Sequence, residues 1–303
     1  MDVAGRGAGN GGRAMRWKGR RGSSNIEDLR RASGGRGGGV RAGGIGGVGL
    51  IAVLLIGWFF GVDVTPLLQG QGGLPPGATM GGAEVTAADE ERAGFVSVAL
   101  ADTEEVWAAV FREQVGQPYQ PPVLRLFKGA VQSGCGAAEA ASGPFYCPSD
   151  RKVYLDTDFF VTMQRQLGAE GNFPAAYVVA HEVAHSIQDQ LGILGRVNAQ
   201  RARVSPADSN ALSVRVELQA DCLAGLWAGR AEATIGQLEP GDIRRATDTA
   251  AAIGDDALQR AAGQRPVPDS FTHGTAEQRA GWFTTGYREG TIEACNTFEA
   301  ERL

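Results

Sequence analysis

Histidine is scarce in this chain, with three in 303 residues, and cysteine is nearly as scarce at four. Cys135, Cys147, Cys222 and Cys295 show no close C-x-x-C spacing, which excludes the paired cysteines of a zinc ribbon. No internal repeat is visible. Charge is missing altogether from residues 42–62, between Arg41 and Asp63. Against this scarcity, two of the three histidines fall in one pentapeptide, His181-Glu182-Val183-Ala184-His185. At this composition such an H-E-x-x-H arises by accident in roughly 0.2% of chains of this length.

The net charge of −5 hides an asymmetry: residues 1–41 carry nine arginines and one lysine against three acids, so the arm is +7 and the remainder −12. Nucleic acid, an anionic membrane surface or topology control could each explain such an arm. The uncharged segment that follows favours the membrane, and no nucleic-acid partner is expected. As a helix its residues would span about 31 Å, close to the hydrocarbon thickness of a bilayer. Leu50 to Phe60 is densely apolar, although five glycines dilute the first half. A cleaved signal peptide would want a small-residue cleavage site, and Asp63-Val64-Thr65-Pro66 offers none. The expectation is one transmembrane helix over 42–62 in contact with the lipid bilayer. The arginine-rich side should stay cytoplasmic and the rest lie outside, as a single-pass inner-membrane protein. Two disulfides suit that oxidising side. Local spacing favours Cys135–Cys147 with Cys222–Cys295 among three pairings, and four buried thiols are the alternative.

Along the chain, residues 1–41 read as a disordered basic arm, with a possible short helix from Ser24 to Arg31. Residues 63–89 form a Pro/Gly-rich tether, and the folded domain occupies 90–303. Thr103 can cap a helix carrying Val106, Trp107, Val110 and Phe111 at helical spacing. Val123–Phe127, Phe145–Cys147 and Lys152–Leu155 suit short strands. Asn172 is a candidate N-cap for a helix running to about Leu191 with Gly192 as its stop. Further helices are expected over 207–229 and 242–253, and Thr275 with Gln278 matches a capping box. Strands followed by helices predict an α+β fold, mainly helical, with a small antiparallel sheet.

Residues i and i+4 of a helix lie on one face, so both imidazoles of the pentapeptide can reach one Zn²⁺. Glu182 is then placed to take a proton from water activated by that ion. Two histidines leave the shell one protein ligand short. The third histidine, His273, could supply it, or a carboxylate from Glu217-Leu218-Gln219-Ala220-Asp221. Glu217 could complete the shell, and Asp221 could orient a ligand histidine through its outer nitrogen. The plain alternative is a solvated acidic pair on a surface helix.

Several stretches together resemble the bacterial neutral zinc metallopeptidases with one membrane anchor. They are Met15-Arg16-Trp17-Lys18-Gly19-Arg20-Arg21, Asn25-Ile26-Glu27-Asp28, Val153-Tyr154-Leu155-Asp156, the helix from His181 to Gly192, Glu217 to Cys222, and Phe271-Thr272-His273-Gly274-Thr275. The two helices also resemble the wider gluzincin pattern. That resemblance implies a zincin-like domain, with His181, His185 and Glu217 on one zinc per chain and Glu182 as base. It also implies a strand near Lys152–Leu155 that aligns an extended peptide. His273 could be a ligand, a hydrogen-bond donor to a developing oxyanion, or part of a structural turn.

The leading reading is a membrane-anchored zinc endopeptidase acting on peptide or protein substrates. Its rivals are a zinc hydrolase of another amide and a non-catalytic, zinc-stabilised scaffold or chaperone-like partner of membrane proteins. Glu182 argues against a scaffold, because a purely structural site needs no base beside its ligands.

Overall fold

The computed structural model describes residues 15–31, 84–139, 143–167, 172–236, 238–239 and 241–303. The elements run β1 (Ile26–Asp28), α1 (Ala87–Val110), β2 (Val123–Phe127), β3 (Ala130–Ser133), β4 (Gly136–Glu139), β5 (Phe145–Cys147) and β6 (Lys152–Asp156), then α2 (Phe159–Leu167), α3 (Phe173–Gln190), α4 (Ile193–Arg201), α5 (Pro206–Ile235), α6 (Asp242–Ala252), α7 (Asp255–Ala261) and α8 (Ala276–Glu289). This is the mainly helical α+β architecture that the sequence predicts. The expected membrane helix at 42–62 and most of the tether lie outside the described residues. Among the described ones, no helix is long and apolar enough to cross a membrane.

The sheet differs from expectation. It has four strands in the order β1-β2-β6-β5. β1–β2 and β2–β6 are parallel, and only β5–β6 is antiparallel. A separate β3–β4 hairpin is antiparallel throughout. The strand expected to align a substrate, β6, is flanked on both sides, so it has no free edge to offer; β5 ends the sheet.

β1 itself corrects the reading of the arm. Ser24 to Arg31 does not form a helix: Ile26–Asp28 is a strand in register with Leu124–Leu126. Three residues carry too little periodicity to reveal a strand. The backbone partners that create it, Asn25 O for Leu124 N and Leu126 O for Leu29 N, both at 2.8 Å, are remote in sequence.

The domain also begins earlier than 90. Thr86 caps α1 in a reciprocal box with Asp89. α1 then runs through Thr103, which is buried mid-helix with its hydroxyl donating to the Leu100 carbonyl at 2.7 Å. A threonine so satisfied does not mark a helix start. Asn172 precedes α3, but its side chain makes no capping bond; Pro174 in the first turn marks the start instead.

α3 and α5 cross in the core, where Tyr177, Trp107, Phe173 and Trp227 are fully buried. α8 lies against α5 at backbone distance. A Cβ on Gly286 would sit 1.7 Å from the Cys222 carbonyl oxygen, and one on Gly225 would sit 1.9 Å from that of Phe283. Only glycine permits that approach. Both expected disulfides are present: Cys222–Cys295 fastens the C-terminal segment to α5, and Cys135–Cys147 fastens the β3–β4 turn to β5.

Candidate metal centre

His181 and His185 project from the interior of α3 toward α5, where Ser205 caps the N-terminus and places Glu217 and Asp221 one turn apart. The metal-binding atoms of His181, His185 and Glu217 all lie within 4.8 Å of one another. His181 Nε2 is 3.1 Å and His185 Nε2 is 3.7 Å from Glu217 Oε2. Two ligand atoms on a tetrahedral zinc stand about 3.3 Å apart, given metal–ligand bonds of about 2.0–2.1 Å. The observed spacings bracket that separation, so these residues fit the ion.

The outer nitrogens fit it as well. His181 Nδ1 lies 2.9 Å from Asp221 Oδ1, and His185 Nδ1 lies 2.8 Å from Gln188 Oε1. Gln188 spends its amide hydrogens on Val216 O and Gln219 Oε1, so its oxygen is the atom left to accept from His185. Gln219 in turn donates to the Cys295 carbonyl. Both Nδ1 atoms therefore carry a proton toward an acceptor, and both Nε2 atoms face Glu217, with His181 Nε2 donating to it where a metal would take the proton's place.

Asp221 is wholly buried and would be costly as a lone charge. Arg279 of α8 meets it with two nitrogens, at 2.8 and 3.0 Å, and Tyr177 Oη donates to Oδ1 at 2.5 Å. Burial favours the neutral acid, but Arg279 and His181 outweigh it and hold Asp221 below the usual carboxylate range. For His181 burial opposes the proton, while Asp221 and Glu217 more than compensate and raise it to about 10. Glu182 goes the other way: burial pushes its carboxyl up against the pull of His185 and His181. A raised carboxyl suits a group that must take up and release a proton near neutrality.

His273 stands outside the three-residue cluster, although its charge acts on Glu217. The Asp255 carboxylate at the start of α7 organises its turn. Asp255 Oδ2 accepts from the backbone N–H of Thr272, His273 and Gly274 at 2.7, 2.7 and 3.1 Å. Asp255 Oδ1 lies 3.3 Å from His273 Nδ1. The turn is thus structural, and it also fixes the ring.

Sequence reasoning missed Gln188, Arg279 and Asp255. Gln188 had a signal, standing three residues after His185 on the same helical face. Arg279 had only its place immediately after the α8 capping box, and Asp255 had none.

A family model described as "Putative neutral zinc metallopeptidase" matches residues 15–298. Uncharacterized protein YpfJ of Escherichia coli K12 is 46% identical over 288 residues, covering 94% of this chain and 99% of the relative. Uncharacterized protein Rv2575 of Mycobacterium tuberculosis H37Rv is 47% identical over 195 residues, covering 61% of this chain and 65% of the relative. No solved structure matches the chain significantly. With the family model covering nearly the whole sequence, this chain belongs to the neutral zinc metallopeptidase family.

Proposed function

We propose that the protein is a membrane-associated zinc peptidase that binds one zinc ion per chain through His181, His185 and Glu217. One observation carries this reading: two imidazole Nε2 atoms converge on one carboxylate while acceptors occupy both of their outer nitrogens. Bound there, zinc would polarise a carbonyl and acidify water. The chain's own residues then supply the rest. Glu182, its carboxyl raised by burial, takes the proton from the attacking water and returns it to the leaving amine. His273, its Nδ1 held by Asp255, can offer Nε2 as a donor where negative charge develops. Arg279 neutralises Asp221, so the ligand set presents a single uncompensated carboxylate, Glu217, to a dication. No acyl-enzyme is required.

Peptide or protein substrates follow from the family. The free edge of β5 is the backbone available for aligning an extended chain beside α3. Two disulfides support a domain on an oxidising side, with residues 42–62 as its contact with lipid.

The test uses the full chain against an unbiased peptide mixture, with zinc content measured in parallel. Zinc near one per chain and cleavage reduced about 10²–10⁴-fold in Glu182→Gln, with zinc retained, is the expected result. Bound zinc without cleavage by either form would shift the reading to a scaffold or another amide.

A further inference from the structure

The N-terminal segment is part of the catalytic domain's fold. Met15 is buried in the core, and Trp17 packs edge-on against Phe95 with centroids 5.9 Å apart. Gly22 passes so close to α1 that a Cβ would lie 2.3 Å from Ser97 Oγ. β1 extends the sheet beside β2. Glu27 is gripped by Arg125 of β2 and by Lys152 of β6, the latter at 2.7 Å.

Half of the arm's basic residues are paired with carboxylates of the domain. Arg16 pairs with Glu239, Lys18 with Glu91, Arg20 with Asp102, and Arg30 and Arg31 with Glu90. Five of the ten basic residues in 1–41 thus have carboxylate partners in the domain. Arg30 is buried and also donates to the Asp89 carbonyl at 2.8 Å. The chain therefore departs at residue 31 and returns at residue 84 beside the same helix end, Thr86–Glu90.

One crossing of a bilayer between those points would put β1 and β2 on opposite faces, and their hydrogen bonds would be impossible. A second crossing would have to use residues 64–83, which hold Pro66, Pro75, Pro76 and six glycines. That stretch has no apolar run approaching the roughly 20 residues that a membrane-crossing helix needs.

We propose that residues 15–31 and 84–303 lie on the same side of the membrane. Arg16, Lys18, Arg20, Arg30 and Arg31 act as counter-charges for an acidic domain, and the opposite-face topology expected from the sequence gives way to one in which both segments share a face.

Epitope tags at both ends of the full-length chain, probed with protease in sealed membrane vesicles of each orientation, test the proposal. Both tags should be cut in the same vesicles and protected in the others. Zero-length carbodiimide coupling of the untagged chain in membranes should join Glu27 to Lys152, alongside the intradomain control pair Lys128–Asp158, 2.8 Å apart. Tags cut in opposite orientations would overturn the proposal. So would a missing Glu27–Lys152 product in a sample where Lys128–Asp158 couples. Neither readout depends on zinc or on cleavage.

Discussion

The helix pair α3–α5 and the sheet edge at β1 are both held by opposite charges, but in different surroundings. Around Asp221 the charges are sealed: Asp221 and Arg279 are essentially unexposed, and every partner is buried with them. Around Glu27 the carboxylate is half exposed, and Arg125 and Lys152 reach it from the rim of the sheet. A buried pair gains little on assembly yet is severe to break, because removing one member strands the other without solvent. A rim pair is cheap in both directions. The sealed network therefore imposes geometry, and the rim network imposes only register.

The sharpest way to break that contrast is Arg279→Ala. It leaves Asp221 buried and unpaired, so stability in urea should fall by about 3–5 kcal/mol. Zinc affinity should fall about 10–100-fold as His181 loses its fixed orientation. Loss of stability with unchanged zinc affinity would show that Arg279 supports the fold alone.

An intermediate effect belongs to Asp89, which is buried at the α1 cap with Lys128 and the Thr86 backbone. Burial raises its carboxyl, but those partners outweigh it and hold it well below the usual range. A carboxylate depressed in the folded state stabilises it above the unfolded value of about 3.9, and that stability fades as pH falls further. Asp89→Asn should lower stability at pH 7 and flatten the acid limb below about pH 4, measured by thermal melts across pH.

The smallest change is Glu27→Gln, expected to cost about 0.2–1 kcal/mol, with the difference from wild type shrinking as salt rises. A larger, salt-insensitive loss would mean that β1 is sealed like Asp221.

The same division explains what could be read in advance. His181 with His185, and Glu217 with Asp221, lie at i, i+4 spacing on single helices, and Glu182 stands beside the first pair, so each segment displays its chemistry directly. Thr275 and Gln278 announced α8 for the same reason, since both halves of the capping box are local. Arg279 and Asp255 acquire their roles only when α7 and α8 dock, and no local pattern records that. β1 is not legible in the sequence because a three-residue strand exists only through its neighbour, and Thr103 starts no helix because a buried hydroxyl can satisfy itself within one.

Arg279 and Gly286 are seven residues apart on α8, two turns along the face turned to α5. Gly286 touches the backbone at Cys222, immediately after Asp221. The width of a hydrogen atom at that glycine thus sets how far the guanidinium sits from the carboxylate that aims His181. An added methyl there would act as a wedge between α8 and α5, displacing Arg279 together with the backbone. Variation at this seam would then disturb the Arg279–Asp221–His181 chain from a residue that lies outside it.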